Sequence, residues 1–119
     1  MTRVNLTDDF GSRTGEWFNI DSAIQFMQAT YWNGNNQVSR ATGSQFEDEN
    51  LFLTKGKRWI LIHDTVYAGR EAVVQMITPQ EAAEWLIVNE YSEESSEFED
   101  MPSDTQKAIA KHFADLEVA

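Results

Sequence analysis

"DSAIQFMQATYW", residues 21–32, decides how the first third of this chain folds. Ser22 followed three residues later by Gln25 has the form of a capping box, in which each side chain reaches the other's backbone N–H. Ala23, Ile24, Phe26, Met27 and Ala29 then supply a broad apolar stripe at helical spacing. The stretch is expected to be an N-terminal helix. Upstream, residues 1–15 are polar, contain Gly11 and Gly15 and lack periodicity, so a flexible arm is expected there. "WFNI", 17–20, reads as an entry segment or short strand.

Downstream the pattern changes. "NGNNQVSRATGSQ", 33–45, is rich in Asn, Gly, Ser and Thr and is expected to be a long polar loop, a kind of segment that often carries function. "NLFLT" and "RWILIHDTV" then flank "KGK", with Gly56 at the turn of a hairpin. In the second of these strands Trp59, Leu61 and His63 point one way, and Ile60, Ile62 and Asp64 the other. Both faces are apolar near the middle, as in a central strand. "YAGRE" turns the chain into "AVVQMI", the third strand of an antiparallel meander.

"TPQEAAEWLIVNE", 78–90, is the clearest helix, with Thr78 as N-cap, Pro79 at N1 and Glu81 closing a capping box. A last helix begins near Ser103, again with a capping-box partner in Gln106, and repeats Ile109, Ala110, Phe113 and Leu116 at helical spacing. The fold expected is a single α+β domain over residues 16–119: a three-stranded antiparallel meander packed with an N-terminal helix and two C-terminal helices. At 119 residues such a chain can bury roughly two-thirds of its surface.

Between the last two helices lies a connector, 90–104, of unusual charge. Within "NEYSEESSEFEDMPSD", 89–104, there are seven carboxylates and no lysine or arginine. Between Arg70 and Lys107, at 71–106, the chain holds ten of its 20 acids and none of its nine bases, which accounts for nearly all of the net charge of −11. Fold stability does not ask for this. Glu90 and Glu94, like Glu93 and Glu97, are like charges at a spacing that costs a helix a few tenths of a kcal/mol. An anion such as Glu90 near a helix C-terminus also opposes the macrodipole. Solubility is the plain explanation of such a run, and recognition of a basic partner the functional one. Direct binding to nucleic acid is disfavoured, because phosphates demand Lys and Arg.

No catalytic constellation is complete. His63 and Asp64 are adjacent, but neighbours on a strand face opposite ways and His112 is the only other histidine, so no metal site is expected. Ser39, Arg40, Thr42 and Ser44 lack a base and a phosphate-cradling motif, and suit turn chemistry. "FEDEN", 46–50, lacks the spacing of a calcium loop, and "KGKR", 55–58, is too small for a nucleic-acid footprint. There is no Cys, and the N-terminal residues show no signal-peptide pattern. A non-enzymatic protein without cofactor, acting in the cytoplasm and away from membranes, is expected.

The combination of "ATYWNGNNQVSRATGSQ", "LFLTKGKRWILIH" and "ITPQEAAEWLIVNEY", covering about residues 17–91, resembles a group of small uncharacterised bacterial and mobile-element proteins with a similar polar loop, hairpin and "EEAAxWL" helix. In size, lack of cysteine and acidic asymmetry the chain also resembles phage-encoded inhibitors of bacterial defence, the anti-CRISPR proteins. That second resemblance implies an acidic protein that, in the cytoplasm of a bacterial host, blocks a basic nucleic-acid-binding surface of an effector complex, its carboxylates standing in for phosphates. The residues expected to bind are Glu84, Glu90, Tyr91, Glu93, Glu94, Glu97, Phe98, Glu99 and Asp100, with Met101 adding apolar contact. In an extended segment Glu97 and Glu99 would lie about 6.8 Å apart, near the spacing of a phosphate ladder. The alternative is an accessory module that binds a small ligand or a protein through loop 33–45, with contacts from Trp32, Asn36 and Arg40.

Overall fold

In the computed structural model, which describes residues 1–67 and 70–118, the chain forms eight strands and two α-helices. The strands are β1 (Arg3–Thr7), β2 (Arg13–Asn19), β3 (Ile24–Met27), β4 (Thr30–Trp32), β5 (Gln37–Ser39), β6 (Glu47–Leu53), β7 (Trp59–Thr65) and β8 (Val73–Ile77). The helices are α1 (Pro79–Val88) and α2 (Ser103–Asp115), and short 3₁₀ turns cover Ile20–Ser22 and Phe98–Asp100.

The class is α+β, but the expected assembly of three strands and three helices is incorrect. The central sheet has four antiparallel strands in the order β3-β6-β7-β8, and two further hairpins, β1–β2 and β4–β5, stand beside it. The decisive error is the stretch 21–32. Ile24 pairs with Leu53 and Phe26 with Leu51, so these residues extend the sheet instead of forming a helix. Phe26 is fully buried while its neighbours Gln25 and Met27 are exposed, a period of two. The capping box does not form either. Ser22 Oγ donates to the Asn19 carbonyl, and Asn19 caps the 3₁₀ turn by accepting from the Asp21 N–H.

The meander strands β6, β7 and β8 pair in sequence order, and the two faces of β7 separate as its alternation requires. Trp59 and Leu61 join Phe26, Leu51, Leu53, Leu86 and Ile109 beneath the two helices. Ile60 and Ile62 join Phe52 and Val74 on the opposite face, which the β1–β2 hairpin covers with Leu6 and Phe18. The first fifteen residues, read as an arm, therefore contain β1 with its buried Leu6, paired to β2 from Arg3↔Asn19 to Thr7↔Arg13. The β6–β7 turn closes with the Lys57 N–H on the Thr54 carbonyl (2.9 Å), and Lys57, not Gly56, carries the positive φ of 65°. The turn expected at "YAGRE" includes Ala68 and Gly69, which lie outside the described residues.

Helix α1 begins as expected. Thr78 Oγ1 accepts from the Glu81 N–H, and the Glu81 carboxylate accepts in return from the Thr78 N–H. Helix α2 starts differently. Its N-cap is Pro102, and Gln106, expected to close a box with Ser103, instead donates to the Phe98 carbonyl (2.8 Å). Thr105 fastens α2 to the sheet: fully buried, its hydroxyl accepts from the Trp59 indole N–H at 3.0 Å. Among the described residues no helix is long and apolar enough to cross a membrane.

Candidate functional site

The acidic connector starts at a strained helix end. Tyr91 N–H bonds the Leu86 carbonyl and Glu90 N–H the Ile87 carbonyl, the double bond of a Schellman motif with Glu90 at its C′ position. That position takes the left-handed conformation and favours glycine, yet here Glu90 has φ 72°. The same carboxylate lies where the helix dipole is negative. One cation offsets part of these costs: Arg40 Nε is 3.1 Å from Glu90 Oε1, and its guanidinium lies 5.1 Å from the Tyr31 ring centroid. Among the described residues this is the only ion pair that any connector carboxylate makes.

Beyond Glu90 the chain is wound, not extended. Ser95 N–H bonds the Ser92 carbonyl, Phe98 N–H that of Ser95, Asp100 N–H that of Glu97 and Met101 N–H that of Phe98. Serine side chains brace the turns: Ser95 Oγ accepts from the Ser92 N–H and Ser92 Oγ from the Glu94 N–H. The expected ladder of alternate carboxylates is therefore absent. The 3₁₀ turn covers Phe98–Asp100 with Glu97 as its N-cap, so Glu97 and Glu99 do not lie along one extended segment.

The apolar residues of the connector, expected as partner contacts, pack against the core to different degrees, Tyr91 and Phe98 remaining half-buried. Met101 is buried, and Phe98 and Tyr91 pack against the helix-face core. Tyr91 meets Phe26 edge-on at 5.6 Å and donates its hydroxyl to the Met27 carbonyl (3.0 Å). Burial, and after it the negative charge of Glu97, push the Tyr91 phenol above its ordinary pKa. With the apolar groups anchored below, Glu93, Glu94, Glu99 and Asp100 are exposed and Glu97 is half-buried. Glu84 stands apart on the exposed side of α1, near Glu81 and Val88.

The stretch 33–45 is not one long loop. Its first part is the turn and second strand of the β4–β5 hairpin, with Asn33 Oδ1 accepting from the N–H groups of Asn35 and Asn36. The rest is turn chemistry: Ser39 Oγ accepts from Ala41 and Thr42 N–H, and Thr42 Oγ1 from Ser44 N–H. Trp32, Asn36 and Arg40 do not converge. Arg40 serves Glu90, Asn36 sits at the turn, and the Trp32 side chain is 61 % exposed. Two sites expected separately, the loop and the connector, are thus joined through Arg40.

Sequence reasoning missed the side chains that make this junction. Asn89, buried at the C-cap of α1, accepts from Ala29 N–H at 2.9 Å and donates to the Trp85 carbonyl at 2.8 Å. Gln28 accepts from Ser39 Oγ (2.6 Å) and Glu49 N–H (2.9 Å) and donates to Asp48 (2.8 Å). Both lie outside any chemical motif, and only the placement of β3 and β4 reveals them. Glu49 was more accessible to inference, because a hairpin turning at Gly56 sets it opposite His63. Glu49 Oε2 lies 3.0 Å from His63 Nδ1, and Glu49 Oε1 accepts from Trp85 Nε1 at 3.1 Å. Among the described residues no group of three or more His, Asp or Glu side chains could hold a metal ion.

No protein-family model matches this chain, and neither does any curated protein or solved structure compared with it.

Proposed function

We propose that this is a non-enzymatic acidic binding protein that occupies a basic surface of a protein partner through Glu90, Glu93, Glu94, Glu97, Glu99 and Asp100. The observation that carries the reading is the split of the connector: its apolar residues are spent on the core, while its carboxylates are held outward on hydrogen-bonded turns and, among the described residues, Glu90 alone has an internal counter-ion. A tether kept only for solubility would not require that anchoring. Like charges held together are favourable when a partner's cations lie among them, and such association is fast and sensitive to salt. The resemblance to anti-CRISPR inhibitors makes the nucleic-acid-binding groove of a bacterial defence complex, in the host cytoplasm, the partner class to try first. The carboxylates would then compete with phosphates without reproducing the even spacing of a strand.

The test is competition. The protein should displace nucleic acid from a basic effector complex, and its affinity should fall roughly tenfold or more between about 50 and about 200 mM salt. Reversal of Glu93, Glu94, Glu97 and Glu99 to lysine should abolish displacement. Displacement that survives both changes would refute the reading. The exposure of Trp32 favours a second reading, an accessory module acting through the β4–β5 hairpin, which would be indifferent to charge reversal and lose binding on Asn36→Ala.

A further inference from the structure

In the β4–β5 hairpin the edge of β4 away from β5 is open. Hydrogen bonds from Asn33 N–H to the Asn36 carbonyl and from Arg40 N–H to the Ala29 carbonyl fix the alternation of the ladder. With Tyr31 paired to Val38 between them, Tyr31 and Val38 face each other as a bonded pair. The N–H and C=O groups of Thr30 and Trp32 must then point away from β5. Among the described residues they have no partner, and β4 has no second neighbouring strand.

Several positions along other edges are bonded. At the end of β3 the Met27 carbonyl accepts from Tyr91, and just beyond it the Ala29 N–H donates to Asn89. On β5 the Ser39 N–H bonds the Ser44 carbonyl, and on β8 the Val74 N–H donates to Thr7 Oγ1. "TYW" in β4 has no lysine and no proline of the kind that keeps an edge unpaired. All three residues are exposed. The strand begins beside the acidic connector, because Ala29 is bonded to Asn89 and Arg40 bridges Tyr31 to Glu90.

We propose that β4 accepts an extended, basic segment of the protein partner as a third strand of the β4–β5 sheet. Main-chain hydrogen bonds to Thr30 and Trp32 would set the register and direction of the segment. A lysine or arginine of that segment can lie over the exposed indole of Trp32, since alternate side chains of the added strand fall on its face. Three residues offer few hydrogen bonds, so attraction comes from the neighbouring carboxylates and β4 supplies orientation. A second copy of this chain is the other candidate for an open edge, but a net charge of −11 repels it. The inference rests on the acidic-binding reading and adds the mode of capture to it.

The experiment uses the whole protein and a short fluorescent peptide of alternating lysine and threonine, beside the same peptide N-methylated along its backbone. Methylation keeps every charge and removes the main-chain donors. The unmodified peptide should bind, and the methylated one should bind about tenfold more weakly or worse, the loss expected for two hydrogen bonds. Equal binding of the two peptides, absence of binding by either, or a dimer paired through β4 would each overturn the inference. Charge reversal at Glu93, Glu94, Glu97 and Glu99 separates the two ideas. If it abolishes binding while methylation has no effect, the acidic surface stands and the edge falls; if methylation matters and charge reversal does not, the edge stands and the acidic surface falls.

Discussion

The two faces of the central sheet are closed in different ways. Beneath the helices, apolar burial is combined with directed bonds: Trp59 to Thr105, Trp85 to Glu49, Asn89 between Ala29 and Trp85, and Tyr91 to the Met27 carbonyl. Beneath the β1–β2 hairpin, Leu6, Phe18, Phe52, Ile60 and Val74 pack with little beyond Thr7 and Asp9 bonding β8 at the rim. Burial of apolar surface is non-directional, whereas a buried indole N–H has to meet its acceptor at one position. The hairpin face therefore adds stability with loose positional control. The helix face fixes where α1 and α2 stand, and so how the connector between them is displayed.

The strongest way to break this contrast is to remove one directed bond from each face. Thr105→Val keeps the shape of a fully buried side chain and leaves the Trp59 N–H without an acceptor. It should lower stability by about 1–3 kcal/mol. Thr7→Val removes a bond at a half-buried site that water can replace, and should cost about 1 kcal/mol or less. Urea unfolding of both variants, read at unchanged m-value, measures the difference. Equal losses would mean that the two faces are held alike.

The same contrast explains how much could be read in advance. β6, β7, β8 and α1 carry their instructions locally: a turn at 55–57, alternation on β7 and a reciprocal cap at Thr78 and Glu81. Residues 21–32 do not. Their three apolar side chains in four, at 24–27, suit a helix face as well as a strand, and the deciding interaction is pairing with β6 more than twenty residues away. Register with a distant strand outweighed local capping. β1 likewise gains its place from β2 and from Phe52 across the sheet, neither of which an N-terminal polar stretch announces. For the site, the charge of the connector was legible because composition carries it. The inward turn of Tyr91, Phe98 and Met101 was not, since apolar residues in a connector look the same whether they face a core or a partner.

A finer probe lies at Glu90, where the directed helix face meets the connector. A non-glycine residue in the left-handed region costs roughly 1–2 kcal/mol, and an anion at a helix C-terminus about 0.3–1 kcal/mol. Against these stand about 0.5–1 kcal/mol of chain entropy that glycine would lose, and the partly exposed Arg40 pair, worth at most about 1 kcal/mol. Glu90→Gly should therefore raise stability, by up to about 1 kcal/mol, while weakening capture of a basic partner. Strain retained against stability is the mark of a residue kept for another purpose. A loss of stability in this variant would instead make the Arg40 pair structural.

The smallest effect should appear in alkali, at Tyr91. An exposed phenol loses its proton near pH 10, and in the folded chain burial, then the charge of Glu97, hold this one protonated to higher pH. As pH rises through about 10 the unfolded chain ionises first, so at that pH it binds fewer protons than the native state and stability falls with further alkali. Tyr91→Phe cannot ionise there and lacks this slope. The stability advantage of the natural chain over the variant should thus be constant below about pH 9 and shrink above pH 10. Chemical unfolding of both chains across that range reads it directly. A difference that stays flat would place the phenol in water, detached from Phe26 and from Met27, and with it would go the anchoring that turns the connector's carboxylates outward.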